Sequence, residues 1–475
     1  LVLLALGMKK TEIEKRFQNL IAGGLFFAAP VFSAFFCDFC NFDSILNKPL
    51  GVILINYLIV LSIQIAFFAL TLRTAFAVAL STLAILVLSV ANHFVRLFRG
   101  GVLTFFDVKV AGTAVNVISQ YTFQADTTLI LTCSTLLLLV FLAFRYNLHI
   151  VVKNWILTRI ASLILAVIVF VFSMSEFALT WSGGEYYAFS ANDSTRHMGL
   201  VYTFFYAANT SLLEKPEDYS ADLLQSDTQG YVADPVSSEE ELPDIILIMN
   251  ESLTDHSMFV DLDLSADPLS FLHTLQEDDN PNTQVSTTVV PVIGGGTCNT
   301  EFEAITGMSI RNFGAGCYPY AQYVTNDTYA VSKYLSLLGY DTTFIHPGYR
   351  TSYNRDNVYQ QFAFDHVYFE DDLQDPERIR DFVSDRFCYE MILERVENSD
   401  TPQFIFNVTI QNHGSWDAYG GEQTIALNHS AENMRPFENL MCLYKESDDA
   451  FRYLIECLST REKPTLVVMF GDHQP

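Results

Sequence analysis

Positive charge is what this 475-residue chain has least of: 27 Lys and Arg stand against 54 Asp and Glu, a formal net charge of −27. Nucleic-acid backbones select basic surfaces, so this balance argues against a nucleic-acid partner. It leaves a phosphate substrate open, because a bound cation inverts the charge around it. Cysteine is sparse too. Cys37, Cys40, Cys133, Cys298, Cys317, Cys388, Cys442 and Cys457 are scattered without zinc-ligand spacing. Cys298 and Cys317 are the pair open to a disulfide, and only in an exported domain. No Gly-Lys-Ser or Gly-Lys-Thr follows the cluster Gly294-Gly-Gly, which excludes a nucleotide P-loop there.

What is present divides sharply in two. Residues 1–175 carry 12 basic and 6 acidic side chains in a background of Leu, Ile, Val, Phe and Ala, whereas the rest holds the other 15 basic and 48 acidic ones. Five apolar stretches, near 19–37, 50–72, 74–95, 127–144 and 155–175, reach the ~20 residues that a bilayer crossing needs. The first is too long, and followed by too many others, to be a cleaved signal peptide. Lys9, Lys10, Lys15 and Arg16 precede it and place the N-terminus in the cytoplasm. Arg73, Arg145, Lys153 and Arg159 fit cytoplasmic loops, while Arg96, Arg99 and Lys109 fit their outer segment less well. Five crossings from an inside start leave everything after 175 outside. No charge pair or broken-helix repeat marks a transporter, so the bundle reads equally as an anchor or as a participant in lipid handling. Residues 176–243 form a juxtamembrane segment and linker that ends in the acidic run Ser237-Ser-Glu-Glu-Glu.

From 244 the pattern becomes apolar runs alternating with helix candidates such as 328–339 and 375–397. Asp244-Ile-Ile-Leu-Ile-Met-Asn reads as a strand buried on both faces, and similar runs begin at Thr342, Phe404 and Thr465. The alternation predicts an α/β domain with a mostly parallel central sheet over 244–475. Each run delivers a polar group at its carboxyl end: Glu251, His346, His413 and the pair Asp472-His473. Ligands of open α/β sheets bind at that edge. One such histidine would be read as structural; the set points to a site. Gly294-Gly-Gly allows close backbone approach, and Thr297 then stands at a helix N-terminus, where free N–H groups favour an anion. Thr297 is accordingly the candidate nucleophile, with Cys298 and Thr300 as weaker rivals. One Glu, one Asp, one His and the Thr297 oxygen would suit Mn²⁺ first, then Mg²⁺ or Zn²⁺.

These residues resemble the lipoteichoic acid synthase and phosphoglycerol transferase family, within the alkaline phosphatase–sulfatase superfamily. The resemblance is carried by Asn250-Glu-Ser, Gly296-Thr-Cys-Asn-Thr-Glu-Phe, Asn354-Arg-Asp, Asn412-His-Gly and Phe470-Gly-Asp-His. It implies a multi-pass protein of the bacterial cell membrane with an extracytoplasmic, alkaline phosphatase-like catalytic domain. It further implies metal ligation by Glu251, Thr297, Asp472 and His473, with Thr297 as nucleophile. Tyr353, Arg355, His346 and His413 would surround the headgroup, Tyr353 standing where relatives often have Trp. His413 would protonate the leaving oxygen or stabilise phosphoryl charge. The family passes glycerol phosphate from phosphatidylglycerol to a glycolipid, a growing polymer or a glucan. Two departures imply a fragment: the chain stops two residues after His473, and it begins without Met, Met8 being a natural start. A sulfatase signature of the Cys/Ser-x-Pro-x-Arg type is absent around Thr297. Phosphoethanolamine transfer, another phosphodiesterase activity, and a membrane-anchored binding or signalling module stand as the alternatives.

Overall fold

The computed structural model describes residues 12–41, 43–99, 101–108, 111–112, 123–146, 154–187, 190–209, 220, 222–223, 226, 242–258, 262–277, 280–313, 316–429 and 434–475. They group into two compact units. One comprises 1–108, 122–212 and 314–317, the other 109–121, 213–313 and 318–475.

The first unit is built on five helices: α1 (Glu12–Phe39), α2 (Leu50–Thr71), α3 (Thr74–Arg99), α4 (Thr127–Arg145) and α5 (Trp155–Ser173). Each contains a stretch long and apolar enough to cross a membrane, and their bounds match the five runs read from the sequence. Three short helices follow: α6 (Glu176–Ser182), α7 (Ala191–Met198) and α8 (Leu200–Asn209). They are more than a linker, because Ala178, Met198, Leu200, Val201 and Tyr202 join the buried core of Ile55, Ile59 and Val60. The break between α7 and α8 is held by opposite charges. Lys48 Nζ donates to the last-turn carbonyls of Thr195 and Arg196 at 3.2 and 2.8 Å. Asp38 Oδ1 accepts the first amide of α8, Leu200 N, at 2.9 Å. A cation at a helix C-terminus and an anion at an N-terminus both complement the helix dipole.

The second unit has a five-stranded parallel sheet, order β3-β2-β6-β1-β7, with β1 (Asp244–Asn250), β2 (Asp341–Ile345), β3 (His366–Tyr368), β6 (Gln403–Val408) and β7 (Thr465–Gly471). A two-stranded ribbon, β4 (Arg378–Ile379) with β5 (Phe382–Val383), lies between. The helices that matter here are α9 (Ser270–Glu277), α10 (Thr297–Thr306), α11 (Val331–Leu337), α12 (Arg355–Gln361), α13 (Asp385–Glu397) and α14 (Arg435–Leu458). On one face, Ile246, Ile248 and Ile405 pack with Ile392 of α13 and Leu454 of α14. Toward α12, Phe344 stacks on Tyr359 with ring centroids 3.4 Å apart, and Phe406 lies against Phe344 at 5.8 Å. Burying side chains of this size contributes about 1.5–3 kcal/mol each. Asp244 at the start of β1 is fully buried but paired with Arg461 and Lys463 at 2.8 and 2.9 Å, which removes the cost of an isolated charge.

Three details correct the sequence reading. The segment 375–397 is helical only from Asp385, where Ser384 caps the helix by accepting Phe387 N at 3.1 Å; the residues before it form the β4–β5 ribbon. β3 is a three-residue strand that no apolar run announced. Among the described residues β7 has a strand neighbour on one side, β1, and Leu466 and Val468 of its apolar run are exposed.

Candidate active site

The carboxyl ends of β1 and β7 lie side by side, because the two strands pair in parallel from Asp244↔Thr465 to Asn250↔Gly471. The next residue on one strand is Glu251; the next two on the other are Asp472 and His473. Gly471 is required there: a Cβ at that position would run into the carbonyl oxygen of Leu253, so the loop leaving β1 crosses directly over it. Ser252, in the left-handed region at φ 54°, turns this loop and ties both acids together. Its amide donates to Asp472 Oδ1 at 2.7 Å and its hydroxyl to Glu251 Oε1 at 2.9 Å.

Thr297 reaches this edge from α10. Gly294, Gly295 and Gly296 all have positive φ, and Thr297 is the first helical residue after them, with the chain geometry read from the glycine run. Two further bonds stitch the glycine turn and helix to the Asp472-His473 segment. Gly294 N donates to Gln474 O at 2.8 Å, and Thr300 Oγ1 donates to Asp472 O at 2.7 Å. That bond occupies the Thr300 hydroxyl, and the Cys298 thiol is fully buried. Cys298 and Cys317 are not joined in a disulfide.

His473 Nε2 is the hub of the cluster. It lies 3.0 Å from Asp472 Oδ2, 3.6 Å from Glu251 Oε1 and 3.5 Å from Thr297 Oγ1. Its other nitrogen, Nδ1, is 2.9 Å from Gln474 O; donation there leaves the Nε2 lone pair for the cluster, as outer partners of metal-binding histidines do. One donor atom from each of Glu251, Asp472 and His473 lies within 4.8 Å of the other two, and all three side chains are buried. Two buried carboxylates converging on one imidazole nitrogen fit a divalent cation. The electrostatics show how strongly these crowded charges act on one another. Burial and the Asp472 charge raise Glu251 to about 8. Burial works against the charged form of His473, yet Asp472 and Glu251 beside it raise it to about 9. Asp472 is held low by His473 in spite of its burial.

The remaining sequence candidates sit on the neighbouring loops of the same unit. His346 follows β2, is buried, and has Nδ1 3.0 Å from Val408 O; burial and the Arg355 charge hold it well below the usual range. His413 has Nδ1 2.7 Å from Gly414 O, and burial lowers it to about 4, so it is neutral near pH 7 with its Nε2 unprotonated. Tyr353 adopts φ 55°, stacks on Tyr318 with centroids 5.7 Å apart, and lies under the Arg355 guanidinium at 5.1 Å. Arg355 is not an open clamp. It is buried, and its Nε and Nη2 edge grips Glu301, with Nε–Oε1 at 3.0 Å. Nη1 is the guanidinium nitrogen that no described hydrogen bond uses.

Several residues were missed from sequence. Glu301 also accepts from Tyr359 OH at 2.7 Å; its four-residue spacing from Thr297 on one helix face was the available signal. Arg380 donates to the carbonyls of Gln411, His413 and Ser415 at 2.9, 2.8 and 2.6 Å and so fixes the turn that carries His413. Tyr444 of α14 donates to Ser252 O, supporting the loop that bears Glu251. Neither Arg380 nor Tyr444 lies in a local pattern.

Comparison with known proteins now finds its place. Residues 243–475 match the Sulfatase family model. A putative cyclic β-1,2-glucan modification protein of Rhizobium meliloti (strain 1021) is 28% identical over 296 residues, covering 60% of this chain and 43% of that protein. The capsular polysaccharide biosynthesis protein RkpI of the same strain is 28% identical over 186 residues, 38% of this chain and 33% of its own. The chain thus spans less than half the length of these curated relatives. Among solved structures, the integral membrane lipooligosaccharide phosphoethanolamine transferase A of Neisseria meningitidis matches with a TM-score of 0.54 at 12% identity, over 96% of this chain and 82% of that one. The likeness is one of fold, and it runs across nearly the whole sequence.

Proposed function

We propose that the protein is a membrane-anchored phosphoglycerol transferase that moves glycerol phosphate from phosphatidylglycerol to a cell-envelope acceptor through Thr297, from the extracytoplasmic side. The observation that carries this reading is the placement of Thr297 Oγ1 at a helix N-terminus, 3.5 Å from the nitrogen on which two carboxylates converge. Glu251, Asp472, His473 and the Thr297 oxygen would hold one divalent cation, Mn²⁺ before Mg²⁺ or Zn²⁺. Such an ion supplies positive charge that acidifies a hydroxyl and steadies phosphoryl oxygens.

The chain's own residues supply the rest. The N-terminal amides of α10 face the anionic phosphoryl group. Arg355, its planar fork held by Glu301 on one edge, presents Nη1 to a phosphoryl oxygen. The Thr297 oxygen, its proton released to solvent, bonds to phosphorus as the diacylglycerol oxygen departs and takes a proton from solvent. The oxygen of an acceptor hydroxyl then bonds to phosphorus as the Thr297 oxygen leaves and is reprotonated. The unprotonated Nε2 of His413 suits it to take the proton of that acceptor hydroxyl, rather than to donate one to the leaving lipid. Anchoring to a bilayer suits a lipid donor.

The test is diacylglycerol release from fluorescent phosphatidylglycerol with Mn²⁺, against Thr297→Ala and against chelator. Release that requires both Thr297 and metal is the expected result. Release from phosphatidylethanolamine alone would keep the chemistry and change the headgroup. Release that persists in Thr297→Ala would overturn the covalent route.

A further inference from the structure

The loop that follows β1 delivers Glu251 and then walls a cavity of about 440 Å³ that the metal cluster does not use. That volume falls within the ~300–1,000 Å³ of small-ligand sites. Leu264 and Met441 line its apolar side; Asp255, His256, Asp267 and His273 line its polar side.

The polar side has a definite chemistry. His273 sits between two carboxylates, Nδ1 2.7 Å from Asp267 Oδ2 and Nε2 3.3 Å from Asp255 Oδ2. Both ring nitrogens are therefore committed, and none remains for a metal. Two carboxylates against one imidazolium leave the cavity with an excess negative charge, which disfavours a phosphate or carboxylate ligand. His256 has Nδ1 3.0 Å from Thr254 O, leaving Nε2 as an acceptor, and its ring is braced by Phe437 and Tyr444 at 5.5 and 5.7 Å. The cavity thus offers acceptors to hydroxyl donors, opposite an apolar wall. It is also joined to the reaction site, because Tyr444 bonds Ser252, which bonds Glu251 and Asp472.

We propose that this cavity is a carbohydrate subsite, taking a neutral sugar whose hydroxyls donate to Asp255, Asp267 and His256 while its apolar face lies on Leu264 and Met441. That the sugar belongs to the acceptor rests on the phosphotransfer reading above; that the cavity binds sugar does not.

Saturation-transfer NMR on the full chain in a sugar-free detergent tests it. The probe is sophorose, a β-1,2-linked glucose disaccharide, chosen because one relative is named for modifying a cyclic β-1,2-glucan. The unaltered protein should saturate sophorose protons. Leu264→Trp, which fills the cavity, should remove the effect, and His256→Ala or Asp267→Asn should weaken binding about tenfold, as loss of one ligand hydrogen bond does. Thr297→Ala should bind sophorose normally, so a failure of the covalent chemistry and a failure of this subsite give different results. Absence of saturation in the unaltered protein would overturn the proposal. So would saturation that survives both Leu264→Trp and His256→Ala, or displacement of sophorose from the cavity by glycerol 1-phosphate.

Discussion

At the scale of single residues, two buried or half-buried ion pairs have opposite lessons. Glu301 and Arg355 are both buried and depend on each other. Glu301→Gln leaves an uncompensated buried guanidinium, which costs about 3–5 kcal/mol. Thermal unfolding should show that loss, and adding Arg355→Met should recover part of it, because contacting residues are not additive. Full additivity would mean that the pair is not the anchor described. His273 is different, being only partly buried between Asp267 and Asp255. Burial opposes its charge, but the two carboxylates raise it above the ordinary value. Its stabilising contribution is therefore complete below the unfolded value of about 6.5 and is lost as pH rises through the higher folded value. The melting temperature of the protein relative to His273→Gln should fall as pH rises above the unfolded value of about 6.5. A difference that grows with pH would show that the sign is wrong.

The elements show why some of this was legible in the sequence and some was not. Ile245–Met249 is apolar at every step, and Phe404–Val408 at every step but Asn407, because their strands are central, and Glu251 and His413 could be placed beyond strand ends on that basis. Thr297 could be placed because three glycines and a helix start are local signals. β3, by contrast, is His366-Val-Tyr, too short and too polar to carry a period. The grip of Glu301 on Arg355 joins residues from α10 and α12, and Ser252 joins β1 to β7; such pairings exist only after the sheet order is known. Gly471 is a related case: the sequence shows a glycine before Asp-His, but only the crossing of Leu253 explains it. Gly471→Ala should push that loop away and scatter Glu251 from Asp472 and His473. Mn²⁺ binding by calorimetry should then weaken about 10- to 100-fold, the size of effect seen when support of a metal shell is lost. Unchanged affinity would show that the crossing is not what positions Glu251.

For the molecule as a whole, a cation that binds the folded state alone must stabilise it. Mn²⁺ at a hundred times its dissociation constant should add about 2.7 kcal/mol, raising the melting temperature in a way that chelator reverses and Asp472→Asn abolishes. A melting temperature indifferent to Mn²⁺ would count against a resident ion at this cluster. The division into a bundle and an α/β domain was plain from apolar runs and charge, because a membrane and water impose such different compositions. The packing of α7 and α8 onto the bundle was not, since it depends on Lys48 and Asp38 meeting helix ends more than a hundred residues away. One arrangement has a consequence in time. The loop after β1 is bonded to the residue after β7 across 220 positions of sequence. Synthesis at about 5–20 residues per second needs tens of seconds to cover that interval. For most of it the emerging chain has Thr297 but neither Asp472 nor His473, so the cluster can close only once β7 is made and pairs beside β1.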